Sequence, residues 1–108
     1  MSRRQLYHGQ PGTSSAAVYT SDNQYTTITG ATVQNTTAGA ETLDAWIVPS
    51  AGTAVDATLI FEGLSVAANS VVGLDKLVAH TIPKDGTLHL AASAATSLTV
   101  CVSGDQHS

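Results

Sequence analysis

The amino-acid sequence predicts an all-β fold, an antiparallel β-sandwich or jelly roll built as a single domain, and three observations carry that prediction. Aliphatic residues alternate with Thr, Ser and other small polar residues at period two, the signature of strands with one face on a core. Clusters of Gly, Pro, Asn, Asp and Ser recur at intervals of roughly 8 to 12 residues, the turn rhythm of a sandwich. The 108 residues suffice for one two-layer core and are too few for two.

In chain order, residues 1–5 read as a flexible arm carrying Arg3 and Arg4, residues 6–104 as the sandwich domain and residues 105–108 as a tail. A short first strand is expected at 5–9, then a turn or linker at 10–15, where Pro11 and Gly12 break regular structure. Residues 16–20 (AAVYT) make the next strand, closed by Ser21, Asp22 and Asn23. In residues 25–34 (YTTITGATVQ), Ile28 and Val33 fall on opposite parities, so a bulge at Gly30 is predicted to bring both to the core face.

After a turn at 35–39, residues 41–48 (ETLDAWIV) set Leu43, Ala45 and Ile47 on one face and Trp46 and Val48 on the other. Such two-sided apolarity predicts a strand whose second face is also covered. A loop follows at 49–56, and strands are expected at 57–62, 70–74 and 77–82. The segment 55–80 also fits a helix, since Val55 with Leu59 and Val71 with Leu74 and Val78 sit at helical spacings. Gly63 and Gly73 interrupt it, and the β-branched content favours strands. Beyond the turn at 83–86 (PKDG), residues 87–103 (TLHLAASAATSLTVCVS) read as a hairpin turning at 93–97. Leu88, Leu90 and Ala92 on one strand and Leu98, Val100 and Val102 on the other face the core.

Composition narrows the function. Hydrophobic residues make up 43% of the chain, an ordinary share, whereas charged residues make up only 11%, against roughly 25% in typical soluble domains. Thr, Ser, Ala and Gly take their place. A monomer depends on a charged surface to stay apart from its neighbours, so a chain this poor in charge is expected to bury much of its outside against other subunits. The net charge of −4, with four Lys and Arg in all, argues against nucleic acid as a partner, because phosphate binding needs clustered cations. No window of about twenty apolar residues spans a bilayer, and MSRRQLYHGQPG lacks the apolar core of a secretory signal. The single cysteine, Cys101, allows no internal disulfide and fits a reducing compartment.

No local pattern marks an active site. His8, His80, His89 and His107 lack the close spacing of zinc ligands, so no metal and no cofactor is expected. Asp44, Asp56, Glu62, Asp75 and Asp85 stand singly at strand ends or turns, where Asp has local work to do. Cys101 shares parity with Thr99 and Ser103 but has no base beside it in sequence, and neither GxGxxG nor GxxxxGK[ST] occurs. No catalytic residue is assigned, and the expectation is a protein without enzymatic activity.

The order of segments AVYT, TVQNTTAGAETLDAWIVPSAG, LIFEGLSVAANSVVGLDKLV, PKDGTLHL and SLTVCVSG resembles that of short virion proteins of tailed bacteriophages. The likeness spans nearly the whole chain and rests on strand-and-turn patterns. It implies a β-sandwich or jelly-roll subunit of the virion, a decoration or cement protein on the head or a component of the neck or tail, assembled in the host cytoplasm. Asp85-Gly86 inverts the acidic Gly-Asp turn of such proteins, so no specific contact is carried over. The partners implied are the chain itself, as a homo-dimer or homo-trimer, and the major capsid protein or another virion protein, with neither nucleic acid nor membrane. Arg3, Arg4, Trp46, Pro49, Thr53 and Asp56 are the interface candidates, from the arm, the strand bearing the only tryptophan and the loop after it. Two further classes are a carbohydrate- or surface-binding module, with Trp46, Tyr7, Tyr19 and Tyr25 as its platform, and a small hydrolase with a polar cleft.

Overall fold

The computed structural model describes residues 2–55, 58–94 and 96–107. Among these, nine strands form two antiparallel sheets: β1 (Ser2–Gly9), β2 (Ala16–Thr20), β3 (Tyr25–Asn35), β4 (Glu41–Val48), β5 (Leu59–Val66), β6 (Val71–Gly73), β7 (Thr81–Ile82), β8 (Thr87–Ala92) and β9 (Leu98–His107). The long sheet runs β1-β9-β3-β6, with β7 also beside β3, and the short sheet runs β2-β8-β4-β5. The pairs β1/β9, β2/β8, β3/β6 and β4/β5 therefore alternate between layers, as when one long hairpin is rolled up. Apart from the short β7, this is the strand order of a jelly roll.

That rolled connectivity corrects one expectation. β8 and β9 occupy the predicted positions, and their aliphatic sides face the core, but they do not pair as a hairpin. β8 lies between β2 and β4, β9 between β1 and β3, and the turn between them crosses from one layer to the other. Leu88 and Leu90 thus lie in the layer opposite Leu98, Val100 and Val102, all without solvent exposure.

Local expectations fare better. β2 and β4 have the predicted bounds. The β3–β9 register shifts between Ile28 and Gly30, and Ile28 and Val33 are both fully buried, as the parity conflict requires. β5 carries two such shifts. At one of them Gly63 takes a φ of 69° and donates its N–H to Asp44 Oδ1 at 2.7 Å, a conformation glycine adopts at little cost.

At 77–82 the expected strand shortens to β7. Residues 74–80 form turns instead, with Leu77 N–H and Val78 N–H donating to the Leu74 carbonyl and Ala79 N–H to that of Ile28. Leu74 and Leu77 are three residues apart, so one turn of helical pitch buries both, which a strand would not do. The chain ends also differ from expectation. β1 starts at Ser2, before the expected strand start, because Ser2, Arg3 and Arg4 pair with Gln106, Asp105 and Gly104, which extends β9 to His107.

Two buried polar groupings tie the layers together. The Asn35 side chain donates to the carbonyls of Gly39 (2.8 Å) and Val66 (3.0 Å) and accepts from the N–H and hydroxyl of Thr37. It pins the β3–β4 turn to β5 in the other sheet. At the opposite end of β3, the hydroxyls of Ser21 and Thr26 meet at 2.7 Å and that of Tyr19 reaches Thr26 at 2.9 Å, while Gln106 donates to the Tyr19 hydroxyl.

Gly104 marks the closest strand approach in the long sheet: an added Cβ would lie 2.5 Å from the Thr27 carbonyl oxygen and 3.0 Å from Leu6 Cδ1. Backbone cannot step aside cheaply, so Gly104→Ala is expected to cost about 1–3 kcal/mol. A lowered urea midpoint with an unchanged slope would report it.

Candidate functional site

What the molecule offers a partner is its two outer sheet faces and its edges; no cavity is found among the described residues. Alternation along β9 turns Val100, Val102 and Gly104 inward and Thr99, Cys101, Ser103 and Asp105 outward. On β3, Thr27, Thr29, Thr32 and Gln34 share that outer side. With Gln5 and His8 from β1 and Thr81 from β7, the long sheet presents mostly hydroxyls and amides, with the Cys101 thiol, the His8 imidazole and the Asp105 carboxylate among them. Tyr25 and His107 stack at its end, centroids 6.0 Å apart, and Val71, 61% exposed, lies at its edge.

The outer face of the short sheet is more apolar. Trp46 is half-buried there, opposite His89 on β8 and Leu59 on β5. Val48 and Ala91, on the same side, are buried, and the 83–86 turn abuts the Val48 carbonyl, 2.8 Å from where a Cβ on Gly86 would lie. The second face of β4 is thus covered in part, as its two-sided apolarity predicted.

The free edges are poor templates for strand addition. β2 has five residues and a register shift, β6 three residues, β7 two. β5 is shifted twice and exposes Glu62 and Gly63, and β1 shifts between Gln5 and Tyr7. Short, bulged or charged edges discourage pairing with another chain.

The structure does not gather the interface candidates into one patch. Arg3 and Arg4 belong to β1 at the edge of the long sheet, and Trp46 to the outside of the short one. Pro49 and Thr53 are exposed in the loop after β4, where the Thr53 carbonyl accepts the Thr58 hydroxyl; Asp56 lies outside the described residues. Nor do the aromatics form a platform: Tyr7 and Tyr19 pack against the core, whereas Tyr25 and Trp46 lie on opposite outer faces.

No group of three or more His, Cys, Asp or Glu side chains fit for a metal occurs among the described residues. His107 Nε2 lies 3.3 Å from the Thr27 hydroxyl and His89 Nδ1 3.2 Å from that of Thr87, both on open sheet faces. The register does bring His8 directly opposite Cys101 on the outside of the long sheet. Sequence spacing gives no hint of this pair, because its members come from opposite ends of the chain.

Desolvation raises the Tyr7 pKa and lowers that of His89. With the folded-state pKa of His89 below its unfolded value of about 6.5, the unfolded chain binds the extra proton. The stability linked to His89 is therefore present above about pH 6.5 and is lost as pH falls below it. Urea midpoints at about pH 7.5 and pH 5 should show a pH-dependent loss that is smaller in His89→Gln.

No family model, curated protein or solved structure matches the chain. Its class is set by the strand order alone: an antiparallel jelly-roll sandwich.

Proposed function

We propose that this chain is a non-enzymatic virion structural protein, a decoration or cement protein that self-associates and docks on the head of a tailed phage to stabilise it. The observation that carries the proposal is the outer face of the long sheet, a broad surface of threonine, serine and glutamine in a chain with only 11% charged residues. Such a surface does not repel a second copy of itself. With the edges short or bulged, association would run through the faces. Jelly rolls serve viral capsids and lectins alike, so strand order does not choose between these uses; the virion role is drawn from the segment order quoted above.

A partner that binds only the assembled shell stabilises that shell by mass action. The test is sedimentation of the purified chain alone and with phage heads, followed by heating of heads with and without it. The expected result is a dimer or trimer at micromolar concentration, co-sedimentation, and heads that open at lower temperature once it is removed. A monomer with no affinity for particles would overturn the proposal.

A further inference from the structure

His8 and Cys101 sit directly across from each other on the antiparallel strands β1 and β9. His8 is exposed and Cys101 half-exposed, and the inward neighbours Val100 and Val102 fix the pair on the outer face. Residues so placed have Cβ atoms about 4.5–5.5 Å apart. A tetrahedral zinc ion with bonds of about 2.3 Å to sulfur and about 2.0 Å to nitrogen holds its donors about 3.5 Å apart, so an imidazole and a thiolate projecting from this pair can share one ion. Soft sulfur with imidazole is the donor set zinc takes in preference to magnesium or calcium.

The pair supplies half of what a closed zinc site needs. On its other side Cys101 faces Thr32, and two residues along β9 lie Thr99 and Ser103, with Gln5 opposite Ser103. These offer hydroxyls and an amide. Two stacked sheets lie about 10 Å apart, which puts an ion at the midplane about 5 Å from each backbone layer, within reach of Cys and His side chains. A two-fold axis through the face sets one pair against the same pair of another copy.

We infer that His8 and Cys101 form half of a zinc site, completed by the same two residues of a second copy, so that one ion clamps two long sheets face to face. The inference rests on the self-association proposed above. Each thiol gives up its proton to solvent as its sulfur binds the ion, so two protons leave per zinc.

The test titrates the full-length chain, kept reduced with a phosphine, with cobalt and then zinc, and follows absorption, proton release and sedimentation. The expected result is a thiolate-to-cobalt charge-transfer band saturating at one ion per two chains, with a zinc-dependent dimer that EDTA dissolves. Cys101→Ser and His8→Ala, with circular dichroism unchanged, should each abolish both. No band, a band unaltered in His8→Ala, or an ion bound by single chains without dimerisation would overturn the site. An EDTA-insensitive dimer would overturn the zinc clamp while leaving self-association standing; a chain that stays monomeric with and without zinc, and ignores phage heads, would sink both.

Discussion

Replacing Asn35 by alanine is expected to cost about 3 kcal/mol, more than any change at the exposed threonines. The side chain has no solvent exposure and joins three segments: its own strand β3, the turn at Thr37 and Gly39, and Val66 on β5. Truncation forfeits hydrogen bonds worth about 0.5–1.5 kcal/mol each and leaves the Val66 carbonyl buried without this donor, at about 1–3 kcal/mol for such a group, whereas the exposed Gly39 carbonyl keeps the Thr37 hydroxyl. Asn35→Asp sharpens the expectation. A carboxylate can still accept from Thr37, but it has no N–H for Gly39 and Val66 and places a negative charge against their carbonyl oxygens. At neutral pH the aspartate variant should be at least as unstable as the alanine one and should recover part of its loss on acidification. Equality of both variants with the parent protein in urea would show that the turn is held by other means.

Nothing but position in an Asn-Thr-Thr run marked Asn35 in the sequence, and that run reads as an ordinary turn. The contrast with Gly30 is instructive. There the sequence contains a conflict, Ile28 and Val33 on opposite parities, and only a bulge resolves it, so the feature is legible from local pattern. The relation of β8 to β9 is not legible in this way. Two strands with inward aliphatics and a short turn look the same whether they pair edge to edge or cross between layers. The choice is made by β2 and β4 claiming β8, and β1 and β3 claiming β9, which are long-range events.

The same holds for the surfaces. Trp46 and Val48 on the second side of β4 announce that this side is covered too, because apolar residues on both parities need two covers; the structure buries Val48 and leaves Trp46 half-buried. The facing of His8 and Cys101 could not be anticipated, since it depends on the register between the first and last strands. Residues 74–80 show the opposite difficulty. Val71, Leu74 and Val78 carried a helical signal, and the structure uses one turn of that pitch, at Leu74 to Leu77, where Gly73 and the β-branched neighbours favoured a strand.

Leu90→Ala should have an effect of comparable size by another route. Leu90 is fully buried on β8, between β2 and β4, and faces the layer that contains Val100 and Val102. Removing its isobutyl group gives up the transfer free energy and leaves a cavity that two hydrogen-bonded sheets cannot collapse to fill, about 2–5 kcal/mol in all. For a domain of this size a loss near 3 kcal/mol lowers Tm by roughly 10–20 °C. Val71→Ala, at a residue 61% exposed, should leave Tm nearly unchanged in dilute protein. Concentration then separates core from interface. Association stabilises by mass action and grows with protein concentration, whereas the Leu90 cavity is present in every copy. The Leu90→Ala deficit should therefore persist across dilute and concentrated samples. A variant at a face that meets another copy should match the parent when dilute and fall behind it only as concentration rises. A Leu90→Ala protein that regained the parent Tm on concentration would mean that the core is completed by the partner, and that the single chain is not the folding unit.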